Sequence, residues 1–203
     1  MIANPYSATL MTAEAYLEWE QHQEIRHEYE QGEVVAMTGG TIPHNDIALN
    51  VYTALRPHIR DRGCRGNVAD VKVQANPQSA YYYPDVVVSC DPRDLNARKL
   101  IQYPKLIVEV LSPSTEARDR GEKFAAYRQL PSLQEYVLID SERISVECYR
   151  RGEGRLWLYS PYIEADPITF DSIEFECAIS LLYEGVSLGI EDLSGLGDRP
   201  EER

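Results

Sequence analysis

The sequence has little positive charge and few lysines. It carries 20 lysine and arginine residues against 33 aspartate and glutamate residues, a formal net charge of −13 over 203 residues. The lysines are Lys72, Lys99, Lys105 and Lys123. A protein that binds nucleic acid through its overall charge carries a basic excess. This composition argues against that mode, so any contact with phosphate requires a local basic patch or a metal ion.

Cysteine pairs at metal-binding spacing and long apolar runs are also missing. The four cysteines form no Cys-x-x-Cys pair, and no cluster of cysteine and histidine has zinc spacing. We therefore expect four free thiols in a reducing cytosol. No apolar run is long enough to cross a bilayer, and residues 1–10 lack the basic and apolar regions of a signal peptide. The expected protein is soluble and cytoplasmic, without a membrane partner.

What is present predicts one α/β domain. The hydrophobic fraction of 43% is enough for a sizeable core, and 203 residues is an ordinary length for one domain. Capping and periodicity predict helices over residues 12–23, 45–62 (interrupted by Pro57) and 114–130. Alternation and apolar runs predict strands over residues 29–38 (a hairpin), 68–75, 81–89, 105–111, 136–140, 144–150, 156–159 and 173–178. We expect a mixed β-sheet flanked by helices over residues 1–191, followed by a polar tail over residues 192–203.

Two carboxylates interrupt apolar strands. Glu109 lies inside the run Leu106–Leu111, and Asp85 follows Pro84 at the start of the Val86–Val88 run. A buried carboxylate is costly without a partner. Each has a simpler explanation: Asp85 can face water at a strand entry, and Glu109 can form a structural ion pair or face solvent. Because neighbouring strands lie about 4.8 Å apart, two acids at matching heights can instead share one divalent cation.

A third group lies on the helix after Glu109. Asp119, Lys123 and Tyr127 recur every four residues, which places them on one helix face. Lys123 can be an ordinary surface lysine paired with Asp119. It can also place its ammonium near the two acids, to position a water or to stabilise developing negative charge.

Together these residues resemble a known family. The carrying motifs span about residues 9–150 and are Glu28-x-x-x-Gly-Glu33, His44, Pro84-Asp85-Val-Val-Val88, Val108-Glu-Val-Leu-Ser-Pro-Ser-Thr115, Asp119-x-x-x-Lys123-x-x-x-Tyr127 and Glu135-Tyr-x-Leu-Ile-Asp140. This set resembles the bacterial "putative restriction endonuclease" family of the PD-(D/E)XK nuclease superfamily. The resemblance implies a restriction-endonuclease-like fold and phosphodiester hydrolysis in DNA.

The resemblance also implies site residues. Asp85 would be the aspartate of the motif and Glu109 its second acid, and both would hold Mg²⁺ (or Mn²⁺) together with a strand carbonyl such as that of Val110. The lysine expected two residues after the second acid is absent, because Leu111 stands there. Its role would pass to Lys123.

The same resemblance gives auxiliary roles to nearby residues. Glu28 and Glu33 would supply or orient a further metal ligand. His44 would cap a helix or contact a metal-binding residue without binding the metal itself. Asp119 and Tyr127 would accompany Lys123 on its helix face.

Two other functions stay open at this point. The chain can be a nuclease-fold protein that binds or assembles but does not cleave, which the acidic charge and the missing lysine favour. It can also be a metal-dependent hydrolase of a small phosphorylated molecule. We further expect a homodimer, with an edge near residues 159–162, because two-fold symmetry is the commonest arrangement.

Overall fold

The computed structural model of the protein describes residues 10–37 and 39–188. The N-terminal residues 1–9 and the predicted polar tail over residues 192–203 lie outside the described residues. No helix within the described ranges is both long and apolar enough to cross a membrane.

The N-terminal third contains a short helix, a hairpin and a long helix. Helix α1 spans Ala13–Glu20, and its N-cap Thr12 accepts a hydrogen bond from the Ala15 backbone N–H at 3.2 Å. Strands β1 (His27–Glu30) and β2 (Glu33–Ala36) form the predicted hairpin. Both turn residues, Gln31 and Gly32, have positive φ (47° and 98°), as a two-residue hairpin turn requires.

Helix α2 spans Ile42–Asp61 and starts earlier than predicted, because Thr41 caps it and Pro43 fits its first turn. The predicted interruption at Pro57 is wrong, since the helix continues through this residue. Pro57 is exposed. The opposite, buried face of α2 packs on the core, and this packing holds the helix despite the missing backbone donor.

Two predicted continuous strands are each divided in two. Residues 68–75 divide into β3 (Arg65–Val68) and β4 (Lys72–Asn76), because Ala69 and Asp70 have positive φ (44° and 38°). Residues 81–89 divide into β5 (Ala80–Tyr82) and β6 (Val86–Ser89). In each case the chain leaves one sheet and enters another, because β4 pairs with β5 whereas β3 pairs with β6.

The rest of the chain alternates strands with short helices. The elements, in order, are α3 (Pro92–Leu95), β7 (Leu100–Ile101), β8 (Leu106–Leu111), α4 (Glu116–Arg118), a π-helical turn (Asp119–Lys123), α5 (Phe124–Tyr127), β9 (Glu135–Asp140), β10 (Ser145–Arg151), β11 (Trp157–Ile163), β12 (Pro167–Phe170) and β13 (Phe175–Ala178). The helix after β8 begins at residue 116, and Thr115 at its N-cap position makes no capping hydrogen bond.

The strands form three sheets. A five-stranded sheet has the order β2-β1-β5-β4-β7, a six-stranded sheet has the order β11-β10-β9-β8-β6-β3, and β12 pairs with β13 alone. Both larger sheets are mixed, because β4 and β7 run parallel, as do β8 and β9. The predicted α/β fold with a mixed sheet flanked by helices is confirmed.

The core has a main cluster on each side of β8. The predicted stripe of α2 (Ile47, Val51, Leu55 and Ile59) is buried against the side chains of β6, β8 and β9. On the other side, Tyr127 and its neighbours pack against β4, β5 and β9. Strand β8 is therefore buried over its whole length, which makes a carboxylate within it costly.

The expectation of four free thiols is wrong. Cys64 and Cys90 form a disulfide, whereas Cys148 and Cys177 are free. Cys64 directly precedes β3 and Cys90 directly follows β6, and the register pairs Arg65 with Ser89. The two cysteines are therefore cross-strand neighbours 26 residues apart, with Cα atoms 4.2 Å apart. Spacing along the chain does not reveal such a pairing, because it depends on the strand register.

Candidate active site

Asp85 lies at the point where the chain crosses from the five-stranded to the six-stranded sheet. Its Oδ2 accepts a hydrogen bond from the Val110 backbone N–H at 2.7 Å, and the His44 Nε2 lies 3.4 Å from the same oxygen. The Asp85 side chain is 20% exposed. The carboxylate is thus fixed against β8 and still reaches solvent.

Glu109 lies opposite Asp85 on the neighbouring strand. The register pairs Val86 with Val108, and extending it by one residue sets Asp85 beside Glu109. Asp85 itself lies in the bend directly before β6, and its charge is near enough to Glu109 to contribute to the raised pKa of that residue. Glu109 is only 3% exposed. The solvent-facing alternative for Glu109 is thereby excluded.

Lys123 contacts Glu109, one of the two acids that it was expected to approach, together with Glu28 and Asp119. Its Nζ lies 3.1 Å from Glu28 Oε1, 3.3 Å from Glu109 Oε1 and 3.0 Å from Asp119 Oδ1. Tyr127 donates its hydroxyl to the same Glu109 oxygen at 3.3 Å. Lys123 is buried, so the ordinary surface lysine is excluded. An ion pair with Glu109 is present, which gives that carboxylate a structural partner.

A π-helical turn positions the side chains of Asp119 and Lys123 in the cluster. Residues 119–123 form the turn between α4 and α5, and Asp119 and Lys123, at its two ends, are both buried. The Tyr136 hydroxyl donates to the Asp119 carbonyl oxygen at 2.9 Å and ties this segment to β9. Single π-turns inside helices are frequent at functional sites.

Sequence reasoning missed Arg118. Its guanidinium donates a hydrogen bond to Glu28 Oε2 and lies 3.8 Å from Glu30 Oε2. Glu28 also accepts from the Tyr83 backbone N–H at 3.3 Å, so this auxiliary residue is firmly held by several partners. The only sequence signal for Arg118 is its place directly before the Asp119 motif, since its partners lie about 90 residues away.

The structure does not bring Glu33 to the cluster. Glu33 is exposed at the start of β2, beside the hairpin turn. Within the described ranges it forms no ion pair. Of the auxiliary residues, the site therefore gathers Glu28, His44, Asp119 and Tyr127.

The cluster carries more negative than positive charge. Glu28, Asp85, Glu109 and Asp119 face the two permanent cations Lys123 and Arg118. Burial raises the pKa of Glu109 well above its usual range; Lys123 opposes this rise, whereas the three other acids reinforce it. Burial alone would lower the pKa of Lys123, but Glu109, Glu28 and Asp119 outweigh burial and raise it. Lys123 is therefore charged, and the surplus negative charge favours a bound proton or a metal cation.

His44 is the titratable side chain beside the exposed acid. Burial opposes its protonation, but the hydrogen bond and negative charge of Asp85 outweigh burial and raise the pKa of His44. The helix-cap role goes to Thr41, whose hydroxyl accepts from the His44 backbone N–H at 3.3 Å. The imidazole itself supports Asp85.

The oxygen atoms around Asp85 and Glu109 fit a hard cation with two carboxylate ligands. Among residues 10–37 and 39–188, no three His, Cys, Asp or Glu side chains surround one point as a metal site. Over the same residues, Asp85 Oδ1 and Glu109 Oε2 accept no hydrogen bond. The N–H and C=O of one strand residue point the same way, so the Val110 carbonyl lies on the Asp85 side. Mg²⁺ commonly binds one or two carboxylates and keeps several waters.

Similarity to known proteins extends over most of the chain. Residues 13–180 match the family Uma2, described as "Putative restriction endonuclease". An uncharacterized protein of Synechocystis is 39% identical over 189 residues, which cover 92% of this chain and 100% of the relative. A second uncharacterized Synechocystis protein is 35% identical over 151 residues, covering 73% of this chain and 85% of the relative.

A solved structure shares the fold. The crystal structure of a "putative nuclease belonging to DUF820" from Anabaena variabilis superposes with a TM-score of 0.68, over 86% of this chain and 98% of the other. The two sequences are 16% identical. At this identity the likeness shows the fold alone.

Proposed function

This chain belongs to the Uma2 family, and from that premise we propose that it is a divalent-metal-dependent endonuclease acting on the phosphodiester bonds of DNA. The observation that carries the proposal is the pair Asp85 and Glu109. Glu109 lies in β8 and Asp85 directly precedes the neighbouring strand β6, and the surrounding charge is negative in excess. A buried acid surplus of this kind is costly for the fold and suits a cation.

Asp85, Glu109 and the Val110 carbonyl would hold Mg²⁺ or Mn²⁺. When bound, such an ion lowers the pKa of a coordinated water and polarises a phosphoryl oxygen. Asp85 is oriented by the Val110 N–H and by His44, and its exposure places the open side of the pair toward substrate. Glu109 is held from the opposite, buried side by Lys123 and Tyr127.

Lys123 has a positioning role in this proposal. An ammonium has three N–H donors, and the Nζ of Lys123 faces three carboxylates within 3.3 Å. Of these three contacts, the one to Glu109 has hydrogen-bond geometry among the described residues. Lys123 therefore fixes Glu109 and balances part of its charge, and the water-orienting role given to it from the sequence stays a prediction.

One observation favours a second function, a nuclease-fold protein that binds nucleic acid without cleaving it. That observation is the burial of Lys123 among Glu28, Glu109 and Asp119, which commits its ammonium to charge balance within the protein. The two functions differ in one measurable property, because a bound metal is required for cleavage and is not required for a binding scaffold.

The test is cleavage of supercoiled plasmid and of a labelled DNA duplex in Mg²⁺ or Mn²⁺, compared with EDTA. We expect metal-dependent cleavage, and we expect Asp85→Asn and Glu109→Gln each to lower the rate by at least about 100-fold. Glu33→Gln is the matched control, because Glu33 is an exposed carboxylate outside the cluster. Variants of Asp85 and Glu109 that cleave at the wild-type rate would rule out this mechanism. DNA binding without cleavage under any metal would select the second function.

A further inference from the structure

A separate cavity lies at the five-stranded sheet, outside the acid cluster. This cavity of about 400 Å³ opens between the end of α1 and the strands β4 and β7. Its polar lining consists chiefly of Glu20, Arg26, Asp70, Lys72, Tyr83 and Lys99. None of these residues belongs to the Asp85 and Glu109 cluster.

Lys72 forms the floor of this cavity and lacks an acceptor. It is 8% exposed. Its Nζ lies 4.5 Å from the centre of the Tyr16 ring and 5.5 Å from the centre of the Tyr83 ring. Within the described part of the chain, no hydrogen bond or ion pair reaches this ammonium. A buried lysine without an anion is unusual, because buried charges are normally paired.

One acid of the cavity wall, Glu20, is already engaged. Glu20 Oε1 accepts from the Tyr83 hydroxyl at 2.8 Å and from the His27 backbone N–H at 3.0 Å. Glu20 Oε2 faces His27 Nδ1 at 3.1 Å. Glu20 thus contributes negative charge to the region without bonding to Lys72. The Lys72 ammonium is left free for an anion that enters the cavity.

Further cations line the rim. Arg26 and Lys99 join Lys72 in the cavity wall, so two of the four lysines in the chain meet here. Both rim side chains have only weak local partners: Arg26 lies 3.9 Å from the exposed Asp70, and Lys99 donates to the amide oxygen of Gln21. A smaller adjoining cavity adds Arg98. Three cations therefore line the larger cavity together with two acids, Glu20 and Asp70, in a chain with a net charge of −13.

The cavity is linked to the candidate active site through the chain crossing. Tyr83 lines the cavity with its side chain and donates its backbone N–H to Glu28 of the acid cluster. Asp70 follows Ala69, whose N–H donates to the Asp85 carbonyl oxygen at 2.9 Å. The cavity and the acid cluster are therefore connected through the backbone of residues 69–70 and 83–85.

We propose that the cavity lined by Lys72, Arg26 and Lys99 binds a phosphate group. A guanidinium and two ammonium groups around one concave surface match a phosphate oxyanion. Two sources share this chemistry: a backbone phosphate of nucleic acid flanking the Asp85 site, or a free phosphorylated small molecule. Assignment to nucleic acid rests on the proposed nuclease function, whereas phosphate binding itself does not.

The electrostatic environment of Lys72 is short of negative charge. Burial lowers the pKa of Lys72, Glu20 partly opposes this effect and Arg26 adds to it. A bound phosphate would supply the missing negative charge and stabilise the ammonium form.

The experiment measures binding in EDTA, so that cleavage plays no part. Fluorescence anisotropy follows a labelled single-stranded or duplex oligonucleotide, and calorimetry follows inorganic phosphate and adenosine 5′-monophosphate. We expect Lys72→Met to weaken binding of the probe by about tenfold or more, as loss of a charge-assisted hydrogen bond does. Lys105→Met is the matched control and should bind as wild type does. Arg26→Gln and Lys99→Met, both on the rim, give the same test if Lys72→Met fails to fold.

Each outcome decides the proposal. Lys72-dependent oligonucleotide binding supports a nucleic-acid phosphate, and Lys72-dependent binding of the small anions alone supports a phosphorylated small molecule. Wild-type protein that binds none of the probes would overturn the proposal, as would equal affinity of the Lys72, Arg26 and Lys99 variants and wild type. Loss of cleavage with intact phosphate binding would instead count against the nuclease function only.

Discussion

At the scale of single residues, the acid cluster lowers the stability of the fold and supplies the groups proposed for catalysis. Glu109 is buried in β8 with a raised pKa, so the ionised carboxylate is unfavourable for the fold. Lys123 balances part of this charge through contacts with Glu28, Glu109 and Asp119. Residues at such sites are commonly kept for chemistry at the expense of stability.

Removing the Glu109 charge should stabilise the metal-free protein at neutral and alkaline pH. Because the folded-state pKa of Glu109 is raised, the native protein binds more protons than the unfolded chain between the two pKa values, and stability falls as pH rises through this window. At pH 8 we expect Glu109→Gln to unfold at a higher urea concentration than wild type, with a free energy of unfolding about 1 kcal/mol larger. At pH 5 the gain in the free energy of unfolding should be smaller.

The control for this measurement is Glu33→Gln, which should show the wild-type pH dependence. His44 also contributes stability that is lost as pH rises through its raised pKa, but this contribution is common to wild type and Glu109→Gln. A Glu109→Gln protein less stable than wild type at pH 8 would contradict the assignment of Glu109 as a destabilising charge.

Removing Lys123 should have the opposite effect. Lys123→Met leaves Glu28, Glu109 and Asp119 without their shared cation, and breaking a buried pair in this way typically costs about 3–5 kcal/mol. The loss should shrink as pH falls through the raised pKa of Glu109, because that carboxyl group then takes up a proton. Urea unfolding measures both effects, with Lys105→Met as the control lysine. A cost below about 1 kcal/mol would show that the lysine is not paired as described.

At the scale of elements, the contact between α2 and β3 depends on a glycine. A Cβ atom on Gly66 would lie 2.5 Å from Ile59 Cδ1 and 3.0 Å from Tyr52 Cε2, so both α2 side chains would have to move. We expect Gly66→Ala to destabilise the protein by about 1–3 kcal/mol, as overpacking does. Gly121→Ala is the control, because a Cβ atom on Gly121 would meet no atom within 4 Å and alanine favours helix. Thermal unfolding that ranks Gly66→Ala above Gly121→Ala in stability would contradict this packing.

The sequence predicts the elements that local rules govern. The hairpin turn at Gln31 and Gly32, the apolar stripe of α2 and the helix after β8 follow from propensity and periodicity. Asp85 and Glu109 stand out because each interrupts an apolar run, and Lys123 follows from its spacing on the helix.

What the sequence cannot predict depends on long-range pairing. The crossings at Ala69–Asp70 and at Tyr83–Asp85 separate strands that read as continuous, because only the packing of two sheets requires the break. Glu28 and Arg118 meet across 90 residues, and the Cys64–Cys90 bond depends on the register of β3 and β6. None of these contacts leaves a periodic signal in the chain.

At the scale of the whole molecule, the homodimer expected from the sequence stays a proposal. Strand β11 is an edge strand that pairs only with β10 among the described strands, and it exposes Leu158, Tyr159 and Ile163. Exposed apolar edges favour association with a second chain. We expect sedimentation velocity to show a dimer that Tyr159→Glu shifts toward monomer, with Leu49→Glu on α2 as the exposed control. A wild-type monomer at high concentration would contradict this proposal.

The overall charge also bears on function at this scale. A chain with a net charge of −13 needs local positive charge to approach a phosphate backbone. Two proposed sources of such charge are a metal at the acid pair and the cavity lined by Lys72, Arg26 and Lys99. Both are separable by mutation, because their side chains do not overlap.

The central claim is that Asp85 and Glu109 share a divalent metal. The most direct test is a crystal of the protein soaked in Mn²⁺, with anomalous scattering measured near the manganese edge. We expect an anomalous peak between the carboxylates of Asp85 and Glu109 that disappears in Glu109→Gln. An absence of density between the two carboxylates at saturating Mn²⁺ would contradict it.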